Sequence, residues 1–120
     1  MQIADKKVST SRPPSIRTHI DLHDRSLKNA EGAQRIITVL RASKNVRHLI
    51  LGHNPLGDDG VRTLMEFLVS ESGRRLPIEE LSLNVTEMGD DGLEAIADYL
   101  NGNQVLHSLH LQNVSLNMAS

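Results

Sequence analysis

The chain has 120 residues, a formal net charge of −2 from 13 basic and 15 acidic side chains, and only 2% aromatic residues. That length fits one small domain, the balanced charge gives no electrostatic drive toward nucleic acid or an anionic membrane, and so few aromatics argue against base-stacking platforms and aromatic ligand pockets. The absence of Cys excludes disulfides, thiol nucleophiles and thiolate zinc sites together. The apolar runs are too short to cross a bilayer, and MQIADKKVST lacks the apolar stretch of a secretory leader. The expectation is a soluble chain of the cytoplasm or nucleus whose aliphatic residues make the core.

Residues 1–14 are polar and end in a double proline, which predicts a disordered tail. Ser9, Thr10 and Ser11 could serve as modification sites there, but an untethered terminus is the simpler reading. Residues 15–120 are expected to form one domain of repeated units. In the first unit Ile20 and Leu22 alternate as in a short strand, and Ala33, Ile36, Ile37 and Leu40 have the spacing of a buried helical stripe. The second unit repeats this with Leu49 and Leu51, then Val61, Leu64, Met65 and Leu68. The polar stretch SESGRRLP after it predicts a turn. The third unit has Leu81 and Leu83, then Leu93, Ile96, Ala97 and Leu100, and ends at the turn-prone NGNQ. The fourth supplies Leu109 and Leu111 in a strand frame without a following helix.

Leu22, Leu51, Leu83 and Leu111 thus fall in one column, separated by 29, 32 and 28 residues. Val46–Leu68 aligns without gaps to Ile78–Leu100, and both segments contain GDDG, as Gly57–Gly60 and Gly89–Gly92. Gly57 and Gly89 suit a turn with unusual backbone angles. Asp58 and Asp90 stand where an N-cap side chain would accept backbone N–H groups, with Asp59 and Asp91 in the first turn, favoured by the helix dipole. The frame predicts that Leu49, Leu51, Leu64, Leu68, Leu81, Leu83, Ile96 and Leu100 are buried and that Arg62, Glu66, Glu94 and Asp98 are exposed.

The pattern L-x-x-L-x-L-x-x-N-x-L followed by a helix resembles a leucine-rich repeat, and the repeat length and full helix are similar to the ribonuclease-inhibitor-like subtype. The resemblance covers roughly residues 16–117. It implies an α/β solenoid of about three and a half repeats, a short right-handed horseshoe segment with parallel strands on the concave side and helices on the convex side. It implies further that a buried Asn after the strand bonds backbone groups of neighbouring turns. Asn54 stands at that position, with Arg25, Thr86 and Val114 in the other units. The function it implies is a non-catalytic protein–protein interaction scaffold. The alternative is GTPase regulation, as by the Ran GTPase-activating protein of the same subtype, for which no matching residue set is found in this chain.

Strand alternation determines which side chains face the concave surface. If Leu49 and Leu51 point inward, His48 and Ile50 point out, and the same register brings out His19, Asp21 and His23 in unit one. Glu80, Ser82 and Asn84 follow in unit three, and His110 and Gln112 in unit four, beside Ser108. These ten residues, Ser108 excepted, are the expected partner-binding set. All six histidines lie in strands or the turns beside them.

Three chemical readings of these residues compete with a plain recognition surface. His19, Asp21 and His48 are metal-ligand types on neighbouring strands, but nothing in their spacing enforces tetrahedral convergence. Ser82 or Ser108 with His110 and Asp21 has the residue types of a hydrolase, on an open sheet without a nucleophile elbow or oxyanion hole. The GDDG turns lack the alternating oxygen ligands of a calcium loop. No Gly-rich phosphate loop appears. The expectation is therefore a cofactor-free, metal-free binding module for a protein with a polar surface of mixed charge, with no nucleic-acid or membrane role. The fourth unit contributes Leu106, Leu109, Leu111, Val114 and Leu116 but no helix, so self-association through an uncapped C-terminal edge, or fraying from residue 105 onward, is expected.

Overall fold

The computed structural model describes residues 18–112. The expected tail over residues 1–14, and the positions of Val114 and Leu116, lie outside the described residues. The elements run β1 (His19–Asp21), α1 (Asn29–Arg41), β2 (His48–Ile50), α2 (Gly57–Val69), α3 (Glu71–Arg74), β3 (Glu80–Ser82), α4 (Asp90–Leu100) and β4 (Ser108–His110). The four strands form one parallel sheet in the order β1-β2-β3-β4. Each helix carries the chain from one strand to its parallel neighbour, and α1 packs on α2 and α2 on α4. The result is the two-layered solenoid that the repeat pattern predicts, sheet on one side and helices on the other. Among the described residues, no helix is long and apolar enough to cross a membrane.

The core lies between the layers. Leu49, Leu51, Leu81 and Leu83 are completely enclosed, as are Leu64 and Leu68, while Ile96 is buried and Arg62, Glu66, Glu94 and Asp98 are exposed. Leu100, expected inside, is instead 38% exposed. No described helix follows α4 to cover it. A small correction also comes after α2, where the predicted turn contains a single helical turn, α3. Ser70 initiates it by accepting the Gly73 N–H on its hydroxyl.

The two GDDG segments work differently from expectation. Gly57 has φ of +65°, in the left-handed region that glycine tolerates, and Gly89, with φ of −117° and ψ of −145°, is neither helical nor regularly extended. Neither Asp58 nor Asp90 caps its own helix: the cap positions of α2 and α4 are Leu56 and Gly89, and neither makes a side-chain cap bond. The Asp58 carboxylate reaches across to the next unit and accepts the Gly89 and Gly92 N–H groups, at 2.6 and 2.8 Å. An aspartate at the start of one helix thus satisfies the orphan donors of the next. The last glycine of the motif has its own cause. A Cβ at Gly60 would lie 2.6 Å from the Asn29 carbonyl oxygen, and one at Gly92 would lie 2.9 Å from Met88 Cβ and 3.0 Å from the capping oxygen of Asp58.

Asn54 holds the turns together as the resemblance implies. Its Oδ1 accepts the N–H groups of Arg25 and Leu27 in the preceding unit, and its Nδ2 donates to the carbonyls of Leu22 and Leu51. Thr86, the matching residue of the next unit, donates only to the Leu83 carbonyl of its own turn. A hydroxyl has one hydrogen to give and too short a reach to bridge units, so the ladder is strongest between units one and two.

Candidate functional site

The strand register converts the repeat columns into rows across the sheet. His19, His48, Glu80 and Ser108 form one row, and Asp21, Ile50, Ser82 and His110 the next. A third row continues through His23, Gly52, Asn84 and Gln112, tied by Asp24 N–H to Gly52 C=O, His53 N–H to Asn84 C=O and Val85 N–H to Gln112 C=O, each at 2.8 to 2.9 Å. Strands only three residues long suffice, because turns and helices fix each strand's ends and hence its register.

The ten residues expected on this face divide by environment. His19, Asp21, His23, His110 and Gln112 are exposed, and His48, Ile50, Glu80 and Asn84 are half-buried. Ser82 is only 7% exposed, because the flanking strands close over so short a side chain. It is a floor residue rather than a contact residue.

At the centre, Glu80 bridges two imidazoles. Its Oε1 lies 2.9 Å from His48 Nδ1, and its Oε2 lies 3.1 Å from His110 Nε2. An ionised carboxylate only accepts hydrogen bonds, so both ring nitrogens must carry hydrogen, the Nδ1–H tautomer at His48 and the Nε2–H tautomer at His110 when the rings are neutral. The bond from His48, reinforced by His110 and opposed by partial burial, holds the Glu80 carboxyl below its ordinary pKa. One carboxylate thereby links three strands through side chains. Around it, the His19 and His48 rings lie 5.9 Å apart, and His23 meets His53 edge-on at 4.8 Å. Gly52 opens the third row: a Cβ there would lie 3.2 Å from the Asn84 carbonyl oxygen and 3.7 Å from His23 Nδ1.

Other residue combinations considered from sequence do not assemble. Asp21 is separated from His110 by two intervening strands, about 14 Å at the usual strand spacing, and its carboxylate accepts the His23 N–H. Serine, histidine and aspartate therefore share a row but no site. Among the described residues, no group of three or more His, Asp or Glu side chains is placed to hold a metal ion.

The sequence reading overlooked two neighbours of the face. Arg47 pairs with Glu79 at 2.7 Å just before the strands begin, and His53 supplies the edge-on partner of His23. The signal was present: residues 47 and 79 share a column, as do 48 and 80, and in a parallel sheet column mates are neighbours. The helices leave an open groove of about 380 Å³ between α2 and α4, lined by Arg62, Met65, Glu66, Asp91, Glu94 and Asp98 among others. Among the described residues, no cross-element network of the Glu80 kind occupies it.

Two segments of the chain, residues 42–65 and 77–97, match the family model described as Leucine Rich repeat. They correspond to the second and third units, where the alignment runs without gaps and both GDDG turns occur. No curated protein matches the chain.

Proposed function

We propose that this leucine-rich repeat protein is a non-catalytic interaction scaffold that presents its concave strand face to a protein partner. Repeats of this family generally serve as protein-interaction modules. Units of 28 to 32 residues, three of them with a helix of 11 or 13 residues, favour the ribonuclease-inhibitor-like subtype.

The observation that carries this reading is the Glu80 bridge. A binding face gains affinity when its side chains are ordered before the partner arrives, since less rotamer entropy is then lost on contact. Glu80 orders His48 and His110 in advance, and the sheet orders the backbone beneath them. With His48 donating from Nδ1, its Nε2 remains an acceptor toward solvent, and His110 likewise offers Nδ1. Ile50 sits between these polar groups as the apolar element of the face. The matching partner surface carries hydrogen-bond donors around a small apolar contact.

Affinity capture from a native lysate tests this, comparing the unaltered chain with Ile50→Arg on the concave face and Glu94→Arg on the convex one. A protein retained by the unaltered chain and Glu94→Arg but lost with Ile50→Arg is the expected result. Loss with Glu94→Arg alone would move the binding surface to the helical side and overturn the reading.

A further inference from the structure

A pocket of about 280 Å³ opens between the C-terminal end of α1 and the ends of α2 and α3. Leu40, Phe67 and Leu76 supply its apolar surface, and the cations Arg41, Lys44 and Arg75 line it as well. Every lining residue falls between positions 40 and 76, so the pocket sits between units one and two and neither end of the described chain borders it. The repeat by itself does not produce it. In the next unit Tyr99 stands at the position of Phe67, and the recess beside it holds about 120 Å³, with Arg74 as its one cation among the described residues.

Three cations at one pocket stand out in a chain with more carboxylates than cations, 15 against 13. Among the described residues, neither Arg41 nor Lys44 pairs with a carboxylate. The Arg41 guanidinium lies 5.0 Å over the Phe67 ring, which orients it while leaving its N–H groups to donate. Arg75 pairs with Glu71 at 2.9 Å, but the two side chains are 74% and 84% exposed. Such a pair contributes little, and an incoming carboxylate can compete for the guanidinium.

Size and lining together select the ligand class. Pockets for cofactors and other small molecules run roughly 300–1,000 Å³, so this one suits a single large side chain. A simple anion would gain nothing from Leu40, Phe67 and Leu76, and an apolar molecule nothing from the cations. The chain's own remaining segments do not match it. Residues 1–17 carry Lys6, Lys7, Arg12 and Arg17 against Asp5 alone, the same sign as the pocket, and residues 113–120 contain no acidic side chain.

We propose that this pocket binds an acidic peptide segment of a partner protein. One large apolar side chain of the peptide packs on Leu40, Phe67 and Leu76, and carboxylates flanking it meet Arg41, Lys44 and Arg75. None of these residues belongs to a strand, and the proposal does not depend on the function assigned to the concave rows.

The test uses the full chain labelled with nitrogen-15 and three end-blocked pentapeptides, Glu-Glu-Leu-Glu-Glu, Glu-Glu-Ser-Glu-Glu and Lys-Lys-Leu-Lys-Lys. The acidic leucine peptide should shift the amide signals of residues 40–44, 67 and 72–76, with a Kd of about 1 mM or tighter. The serine peptide should bind roughly tenfold more weakly, since it forfeits burial of the leucine side chain, and the basic peptide should leave those signals unmoved. Arg41→Glu and Lys44→Glu should each weaken the leucine peptide roughly threefold or more. Arg62→Glu, the same charge change on another surface, should leave its binding unchanged. No shift at those amides up to several millimolar peptide overturns the proposal, whether the pocket is open or covered by another segment of the chain. Equal binding of the serine peptide, or an equal response to inorganic phosphate, overturns it in favour of a plain anion site. Shifts confined to the concave rows overturn it in favour of that face. If Arg41→Glu disturbs α1, Lys44→Glu, which lies outside every helix, still decides.

Discussion

The Asp58 carboxylate caps a helix that is not its own, accepting the Gly92 N–H at 2.8 Å and the Gly89 N–H at 2.6 Å from the following unit. The first turn of α4 is thereby held by a side chain 34 residues earlier in the chain. Local helix formation and stacking of the units become one event, as the cooperative behaviour of a solenoid requires.

Asp58→Ala should cost about 1 kcal/mol, with a range of roughly 0.5–2, as for loss of an N-cap. Asp90→Ala at the matching position should stay within about 0.5 kcal/mol, since Asp90 is exposed. Urea denaturation of both variants checks this. Equal losses would mean that the cross-unit bond adds nothing.

Asn54 is the more critical polar residue. Removing its amide strands the Arg25 and Leu27 N–H groups and the carbonyls of Leu22 and Leu51. Asn54→Ala should cost about 2–4 kcal/mol, since each buried group left unpaired costs about 1–3. Asn54→Thr should recover little of that loss, because Thr86 shows a threonine there bonding only its own turn. Hydrogen exchange should show the Arg25 and Leu27 amides losing protection first.

Asp24, His53 and Val85 occupy one repeat position, with φ of 55°, 59° and 56°. A β-branched side chain is a poor occupant of the left-handed region, which costs an L-residue about 1–2 kcal/mol. Val85→Asn should therefore raise stability by up to about 1 kcal/mol, measured as a higher urea midpoint. A loss instead would mean that the packing of half-buried Val85 outweighs the backbone strain.

The Glu80 bridge predicts an acid limb in the stability profile. Its carboxyl is held below the ordinary value of 4.5 by the hydrogen bond from His48 and the assistance of His110. A depressed folded-state pKa stabilises the fold above the ordinary value, and that contribution fades as pH falls through the lowered one. The stability difference between the unaltered chain and Glu80→Gln should be largest near neutrality and shrink below pH 4.5. Urea midpoints measured across that range give the comparison, and a difference constant with pH would contradict the bridge.

Periodicity in the sequence determined the units themselves. Leucines alternating at 49 and 51 and at 81 and 83, each followed by a helical stripe, admit few structures other than a strand and helix repeated side by side, because each stripe needs a neighbour to bury it. The same alternation determined which side chains face the concave surface, since a strand has only two faces. Whatever depended on the distance between units was settled by tertiary structure. Asp58 reads locally as a cap for its own helix, and only the close stacking of α2 and α4 gives it the next one. Gly92 reads as a helix residue with no special need for glycine, yet the packing of Met88 and Asp58 against it excludes a Cβ. Leu100 fits the buried pattern as well as Leu68 does, but a side chain is buried only by what lies against it: α4 lies against Leu68, and among the described residues no helix lies against Leu100. Glu80 stood in the correct row from the start. Its two imidazole partners come from the strands on either side, and the register of those strands brings both within hydrogen-bonding distance.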